Sequence, residues 1–268
     1  MEGSIILREA KLKDCYDITE VNNEGFPFLD EESPEYFEWL IREGIGKIIV
    51  CEINGEIVGF VHYDIIRGKA IIHRIGVSEE FRRKGIGSSL LAKVEDLVKN
   101  KVNEIVAYIA SRNRYSQKWF KRRGYVKVNN PSLYTGWLAV GDTTSIKRLK
   151  EIDESRILKR LDKIMYWWTP NLEDFLSKLK TAPGIVCLDE SESVLIHFIV
   201  RPWYITAEYI AYSSELTNEE LEELIFEISN TVAIEFNIPY CEAPIKPEIV
   251  RNTWRYVWLE YPFIKKLR

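Results

Sequence analysis

Cysteine, methionine and histidine are all scarce in this chain, at four, two and three residues in 268. The cysteines (Cys15, Cys51, Cys187, Cys241) form no CxxC pair and the histidines no spaced cluster. A zinc site and a disulfide framework are therefore excluded as organising devices; no metal is expected, and the thiols read as buried and free. No apolar run approaches the ~18 residues of a membrane span, and the start MEGSIILREAKLKD lacks the basic-then-apolar layout of a secretory leader, so a cytoplasmic protein is expected. An excess of positive charge is missing too. The 37 basic against 41 acidic residues leave a net charge of -4, which argues against a general nucleic-acid binder. The one basic cluster, Arg112, Arg114, Lys118, Lys121, Arg122 and Arg123, keeps nucleic-acid association only as a distant alternative. Abundant Ile, Lys and Glu suit a heat-adapted composition.

Apolar residues are plentiful, at 46% of the chain, enough for one large core or two modest ones. Residues 4–9 read as a strand and 11–23 as a helix. Ser33-Pro34 opens a second helix, with Ser at the cap and Pro at the first helical position. Three strands follow at 47–53, 56–66 and 69–77; Asn54-Gly55 between the first two supplies the positive φ angles of a tight hairpin. A helix over 88–99 carries the apolar stripe Leu90, Leu91, Val94, Leu97 and Val98. A strand at 104–110, a helix at 114–123 and strands near Tyr125 and at 134–141 complete a mixed α/β sheet with helices on both faces. Residues 145–165 are charged and read as a helical linker between a first domain, 1–144, and a second, 166–268.

The chemistry-bearing segment is Arg82-Arg83-Lys84-Gly85-Ile86-Gly87-Ser88. A strand ending at Val77, a basic glycine loop and a helix start make an anion site, because orphan amides at a helix N-terminus converge on a phosphate and the helix dipole reinforces them. Gly85 and Gly87 admit close approach of the backbone.

In its context this stretch, IGVSEEFRRKGIGSSLL, resembles the signature of the GNAT acyl-CoA N-acyltransferase superfamily, and Asn113 through Phe120 with Gly124-Tyr125 is similar to the family's second motif. The resemblance spans roughly residues 4–141. It implies acetyl-CoA as acyl donor, seated in the splay between the fourth and fifth strands. Ile75, Gly76 and Val77 would offer backbone groups to the pantetheine arm, amides from Arg83 to Ser88 would hold the pyrophosphate, and Asn113 would bond the pantetheine from the other side. An N–H near Val77 would polarise the acyl carbonyl. Transfer would pass directly from thioester to a primary amine, either a protein N-terminus or a small amine.

One departure stands out. Many relatives use as acid a tyrosine where this chain has Phe120; Tyr115 or Tyr108 is a candidate substitute, and the alternatives are that both simply pack, with a weaker acid or solvent protonating the thiolate. For the base, alternation puts Ile71, His73, Ile75 and Val77 on one strand face, with an imidazole titrating near neutrality; a purely structural His73 is the competing reading. Glu24, beside Phe26-Pro27, lies where relatives contact the acceptor, or is an inert loop residue. Phe120 also leaves open a non-catalytic acyl-CoA sensor.

The second half repeats the first. An offset of 136 superposes Pro34 on Pro170, Leu40 on Leu176, Val50-Cys51 on Val186-Cys187 and Ser78-Glu79 on Ser214-Glu215. A helix at 218–236, a strand at 240–245 and an aromatic segment (Trp254, Tyr256, Trp258, Tyr261, Phe263) continue the order. Its loop reads ELTNEELEEL, without glycine or basic residues, and repels a pyrophosphate. The expectation is a tandem of one intact and one degenerate copy, the second walling the acceptor cleft through Trp203, Tyr204 or the C-terminal aromatics. The sequence is silent on oligomeric state.

Overall fold

The computed structural model describes residues 5–25, 31–66, 68–129, 132–139, 143–149, 153–164, 172, 176, 179, 183–200, 204–243, 245 and 254–267. In chain order the elements are β1 (Ile5–Glu9), α1 (Cys15–Gly25), α2 (Pro34–Arg42), β2 (Lys47–Ile53), β3 (Glu56–Ile66), β4 (Lys69–Val77), α3 (Ile86–Val98), β5 (Glu104–Ala110), α4 (Arg114–Lys121) and β6 (Val126–Lys127). They continue as β7 (Ser132–Leu138), β8 (Ile146–Arg148), α5 (Glu154–Ile157), β9 (Lys163–Ile164), β10 (Ile185–Asp189), β11 (Val194–Val200), β12 (Ile205–Tyr212), α6 (Asn218–Glu235), β13 (Tyr240–Ala243) and β14 (Trp254–Lys266). Two compact units divide the chain. The first comprises Met1–Ile109, Asn113–Asn129 and Pro262–Arg268, the second Ala110–Arg112 and Asn130–Tyr261.

That division differs from the expected boundaries at 144 and 165. The charged stretch 145–165 was expected to be helical, but among its described residues only α5 is an α-helix. Its apolar residues serve the second unit instead: β8 pairs antiparallel with β10, β9 pairs with β12, and Ile157 and Leu161 are buried. Strand pairing overrides the helical propensity of a charged stretch.

In the first unit β1, β2, β3 and β4 run antiparallel in that order, and β5 joins β4 in parallel. Asn54 (φ 54°) and Gly55 (φ 88°) both take positive φ between β2 and β3, the turn that matches strand twist. Ser33 stands at the N-cap of α2 with Pro34 next, but its side chain makes no cap bond. One sheet face takes α1 and α2, where Phe37 meets Phe60 edge-on at 5.8 Å. The other takes α3, whose Ile86, Leu90, Leu91, Val94 and Val98 are all buried. Truncating a buried Phe such as Phe60 to Ala costs about 3–5 kcal/mol.

The second unit follows the same order. β8, β10, β11 and β12 are antiparallel neighbours, β13 joins β12 in parallel, and a helix, α6, lies between those two strands in sequence. Two buried histidines mark the equivalence. His62 of β3 pairs with Ile48 and Arg74 in register and shares a hydrogen bond with the Ile45 carbonyl (3.0 Å). His197 of β11 pairs with Val186 and Tyr209 and bonds the Pro183 carbonyl (2.7 Å). Each sits beside a bulge in the next strand and a positive-φ glycine. A Cβ on Gly46 would lie 2.6 Å from the Tyr63 carbonyl oxygen, and one on Gly184 would run into that of Phe198. This register places Val186 opposite Ile48's role rather than Val50's, and Ser213 rather than Ser214 at Ser78's. The gapless offset fails because the hairpin between β10 and β11 is shorter than that between β2 and β3. Pro170 lies outside the described residues.

Both histidines are neutral in the fold. Burial pushes each down to about 4, against the hydrogen bond to its carbonyl. An unfolded histidine takes its proton near 6.5, so below that pH the unfolded chain binds more protons and the folded state loses ground as pH falls toward 4. Each histidine should cost about 2 kcal/mol by pH 5 relative to pH 7.5. Urea titrations at the two pH values should show it, and His62→Gln should remove its share from the first unit. An unchanged pH slope in that variant would contradict the assignment.

Candidate active site

The parallel register of β4 with β5 runs from Lys69 opposite Glu104 to Ile72 opposite Ala107 and stops there. At the next residue β4 bulges: Tyr63 of β3 faces Ile72 while His62 faces Arg74, leaving His73 as the extra residue. Beyond it Ile75, Gly76 and Val77 remain paired to β3 on one side only, opposite Val61, Phe60 and Gly59. A bulge bends a strand and re-aims its side chains. Here it opens a wedge between β4 and β5, lined on the β4 side by the backbone of Ile75 to Val77.

The bulge also overturns the expected alternation. A Cβ on Gly76 would meet Phe60 and Val21, on the α1 side, whereas one on Gly59, paired with Val77, would meet Ile86 and Leu90 of α3. Ile75 and Val77 thus face α3, while Ile71, opposite Asp64, falls on the other side. His73 falls on the Ile71 side, away from Ile75 and Val77: its ring lies tilted against that of His62 (centroids 4.7 Å), on the face where Arg74 meets α1 and α2. Burial first, then His62 and Arg74, hold its imidazole well below the ordinary range. The expectation of titration near neutrality is therefore corrected: His73 is neutral across the physiological range.

After β4 the chain makes a 3-10 turn, Glu79–Phe81, and two left-handed steps, Arg83 (φ 64°) and Gly85 (φ 88°), before α3 begins at Ile86. Gly85 is the N-cap and no side chain caps the helix. The first amides of α3 thus have no intrahelical acceptor and no side chain competing for them. The three basic residues of the loop do different things. Arg82 folds back, donating to the Val77 carbonyl (3.1 Å) and the Glu24 carbonyl (3.2 Å), and Lys84 lies over the Phe81 ring at 4.9 Å. Arg83 is exposed. Gly87 faces Val77 and Trp119, which an added Cβ would meet at ordinary contact distance.

A polar network forms on the α1–α2 face. Arg74 pairs with Glu32 (2.7 Å), donates to Asn22 Oδ1 (3.1 Å) and stacks over Tyr36 at 5.2 Å. Asn23 clamps the Glu32 backbone in both directions, accepting from its N–H (2.9 Å) and donating to its carbonyl (3.1 Å). Glu24 is committed: its carboxylate accepts the Glu79 N–H at 2.8 Å, tying the end of α1 to the turn after β4. Residues 26–30, including Phe26-Pro27, lie outside the described residues, as does Trp203.

Tyr108 and Tyr115 separate. Tyr108 is the first β5 residue past the last paired position, and its parity in the strand puts it on the His62 face. Tyr115 is 72% exposed on α4. His73 and Tyr108 are each the next residue after the last β4–β5 pair, Ile72 with Ala107, whereas Tyr115 lies on the exposed surface of α4. Asn113 caps α4, accepting the Ser116 N–H at 3.0 Å. Phe120 is buried between Trp119 and Tyr125, edge-on at 4.8 and 5.0 Å.

Several residues here were not singled out from the sequence. A Cβ on Gly59 would lie 3.2 Å from both Ile86 and Leu90, so this glycine sets how closely α3 approaches the sheet. The Arg74–Glu32 pair and the contact of Arg123 with Ser88 Oγ are long-range and carry no local signal.

The corresponding place in the second unit is closed. The α6 N-cap, Thr217, accepts the Glu220 N–H while Glu220 accepts the Thr217 N–H (2.9 Å), a complete capping box with Glu219 alongside. Its own side chains occupy the Glu220 N–H and the Thr217 N–H, where α3 has no side-chain cap, and add negative charge.

Comparison with known proteins bears on family and fold. The Acetyltransferase (GNAT) family profile matches residues 12–125. An uncharacterized N-acetyltransferase of Methanocaldococcus jannaschii is 33% identical over 111 residues, 38% of this chain and 48% of that protein, so the chain spans about half of that relative's length. An N-alpha-acetyltransferase of Sulfurisphaera tokodaii is 30% identical over 138 residues, 46% of this chain and 80% of that protein. Among solved structures, a tandem GNAT protein from the clavulanic acid biosynthesis pathway superposes with a TM-score of 0.68, covering 99% of each chain at 11% identity, a likeness of fold. The chain belongs to the GNAT acetyltransferase family, and its fold is that of a tandem member.

Proposed function

We propose that the first unit is an acetyl-CoA-dependent N-acetyltransferase acting on a primary amine, and that the second unit binds no acyl donor. The observation that carries this is the wedge beyond Ile72 and Ala107, which leads to an uncapped, glycine-started helix. The donor fits the residues present: backbone of Ile75 to Val77 for the pantetheine arm, amides of Arg83 through Ser88 for the pyrophosphate, and α4 with its Asn113 cap across from them. When bound, acetyl-CoA supplies the thioester carbonyl, which the amine nitrogen attacks as the C–S bond breaks.

The chain's own residues divide the remaining work. The backbone N–H near Val77 polarises the carbonyl oxygen, a donor worth most as negative charge develops there. Tyr108, at the wedge apex, gives its phenolic proton to the departing sulfur, taking the role that Phe120 lacks, and the proton that the attacking nitrogen sheds on becoming an amide returns through water to restore the phenol. Neutral His73 and its neighbour His62 accept a hydrogen bond from the incoming amine or its water without carrying charge. Glu24 keeps a positioning role, holding α1 to the donor loop. The acceptor is a protein α-amine or a small amine; the likeness to an N-alpha-acetyltransferase supports the former.

Calorimetric titration of acetyl-CoA should give one site per chain, and an amine panel should show turnover. Binding without acetyl transfer to any amine would replace the enzyme with an acyl-CoA sensor, and an absence of binding would sink both readings.

A further inference from the structure

The first unit does not end where its contiguous sequence ends. After β6 the chain leaves for the second unit, and the next strand, β7, pairs there with β13 and with the first part of β14. The first unit recovers a strand from the far end of the chain. Phe263 and Ile264 of β14 pair with Lys127 and Val126 of β6, Val128 donates to the Pro262 carbonyl (2.8 Å) and Leu267 donates to the Asn103 carbonyl (2.9 Å), beside β5. Phe263 is fully buried.

This borrowed strand reaches the helix that starts the donor site. Lys265 Nζ bonds Glu95 Oε2 of α3 at 2.8 Å, Tyr125 donates to Glu95 Oε1 at 3.2 Å, and the ammonium lies 5.6 Å from the Tyr125 ring centroid. Ser88, Ala92 and Glu95 share one helix face by their spacing. They line, with Arg122, Arg123 and Lys265, an open groove of about 450 Å³. Arg123 grips that face at its first turn, through Ser88 Oγ, while stacked on Trp119 at 3.7 Å. Lys265 grips it two turns on.

We infer that residues 262–268 are the closing strand of the first unit and that Lys265 is a positioning residue for α3, so the acyl-donor site depends on this sequence-distant strand. The dependence on donor binding rests on the function proposed above; the strand assignment does not. Stability of the sheet edge comes from burial of Phe263 and the ladder to β6, whereas the half-exposed ion pair fixes where α3 sits and contributes modestly by itself.

Three measurements test it. With Val126→Cys and Ile264→Cys, facing each other across the antiparallel pair, a disulfide should form on mild oxidation, since facing residues lie within bridging distance and the native thiols are buried. A chain stopped after Tyr261 should lose hydrogen-exchange protection in β5, β6 and α3 but not in β10 to β12, and its acetyl-CoA affinity should fall at least about tenfold. Lys265→Met should weaken acetyl-CoA binding about two- to fivefold with kcat unchanged, Lys265→Arg should restore it, and Glu95→Gln should add nothing to Lys265→Met. No disulfide, or unchanged protection in the shortened chain, overturns the strand assignment. Additive effects at Lys265 and Glu95, or no rescue by arginine, overturn the positioning role. If the full chain binds no acetyl-CoA while the exchange result holds, the proposed function fails and the strand assignment stands.

Discussion

A chain carrying Gly85→Glu and Gly87→Glu should bind acetyl-CoA at least about a hundredfold more weakly than the parent while keeping its fold. The two positions act differently. Gly85 sits at φ 88° with open space around its Cα, so a side chain there meets no atom and pays only the backbone strain of a left-handed residue, about 1–2 kcal/mol. Gly87 has a helical conformation, and its added Cβ would touch Trp119 at 3.5 Å and Val77 at 3.6 Å, ordinary contacts that the first unit tolerates. What the substitutions change is charge. A carboxylate about 4 Å from a phosphate is opposed by about 4 kcal/mol at an effective dielectric of 20, and two of them at the open end of α3 exceed the helix's own attraction for an anion. Gly87→Ala, which adds volume without charge, should bind within a few-fold of the parent. Calorimetry reads the affinities and thermal melting verifies the fold. If the doubly charged chain binds as the parent does, the pyrophosphate is not held on the amides of α3.

The elements of the first unit were legible because each obeys a local rule. The hairpin at Asn54-Gly55, the proline opening α2 and the glycine opening α3 are decided within a few residues, and β2, β3, β4 and β5 begin and end where hydrophobic pattern and turn residues put them. The donor loop is legible for the same reason. What the pattern missed is non-local. The bulge at His73 exists because β3 and β4 slip by one residue relative to each other, which no alternation within β4 reveals, and it moves His73 away from Ile75 and Val77. Arg74–Glu32 and Lys265–Glu95 join residues 42 and 170 positions apart. The charged run after residue 144 misled in the opposite way: its composition favours a helix, but its few apolar residues are used one by one along a sheet. The exchange of closing strands is invisible to any repeat offset, since an offset assumes that each copy is contiguous.

Replacing Tyr108 by phenylalanine should lower kcat about a hundredfold, the lower end of what a positioned acid contributes, with little change in the KM for acetyl-CoA. The argument is one of place. Phe120 is sealed in the core between two aromatic rings, and Tyr115 is solvent-exposed. Tyr108 follows the last β4–β5 pair and faces the layer of His73 and His62. The substitution removes only a hydroxyl from a half-buried position, so folding stability should change little and the loss should appear in the chemical step. Tyr115→Phe should leave kcat within twofold, and that contrast separates the two tyrosines. The pH profile adds a second handle. Because burial and its cationic neighbour keep His73 well below its ordinary range, the acid limb of kcat/KM should not sit near 6.5. It should follow the acceptor, moving upward with more basic amines, since only the neutral amine attacks. A limb fixed near 6.5 for every amine would return His73 to the role of a titrating base. An equal loss in both tyrosine variants would place the acid elsewhere than the wedge apex.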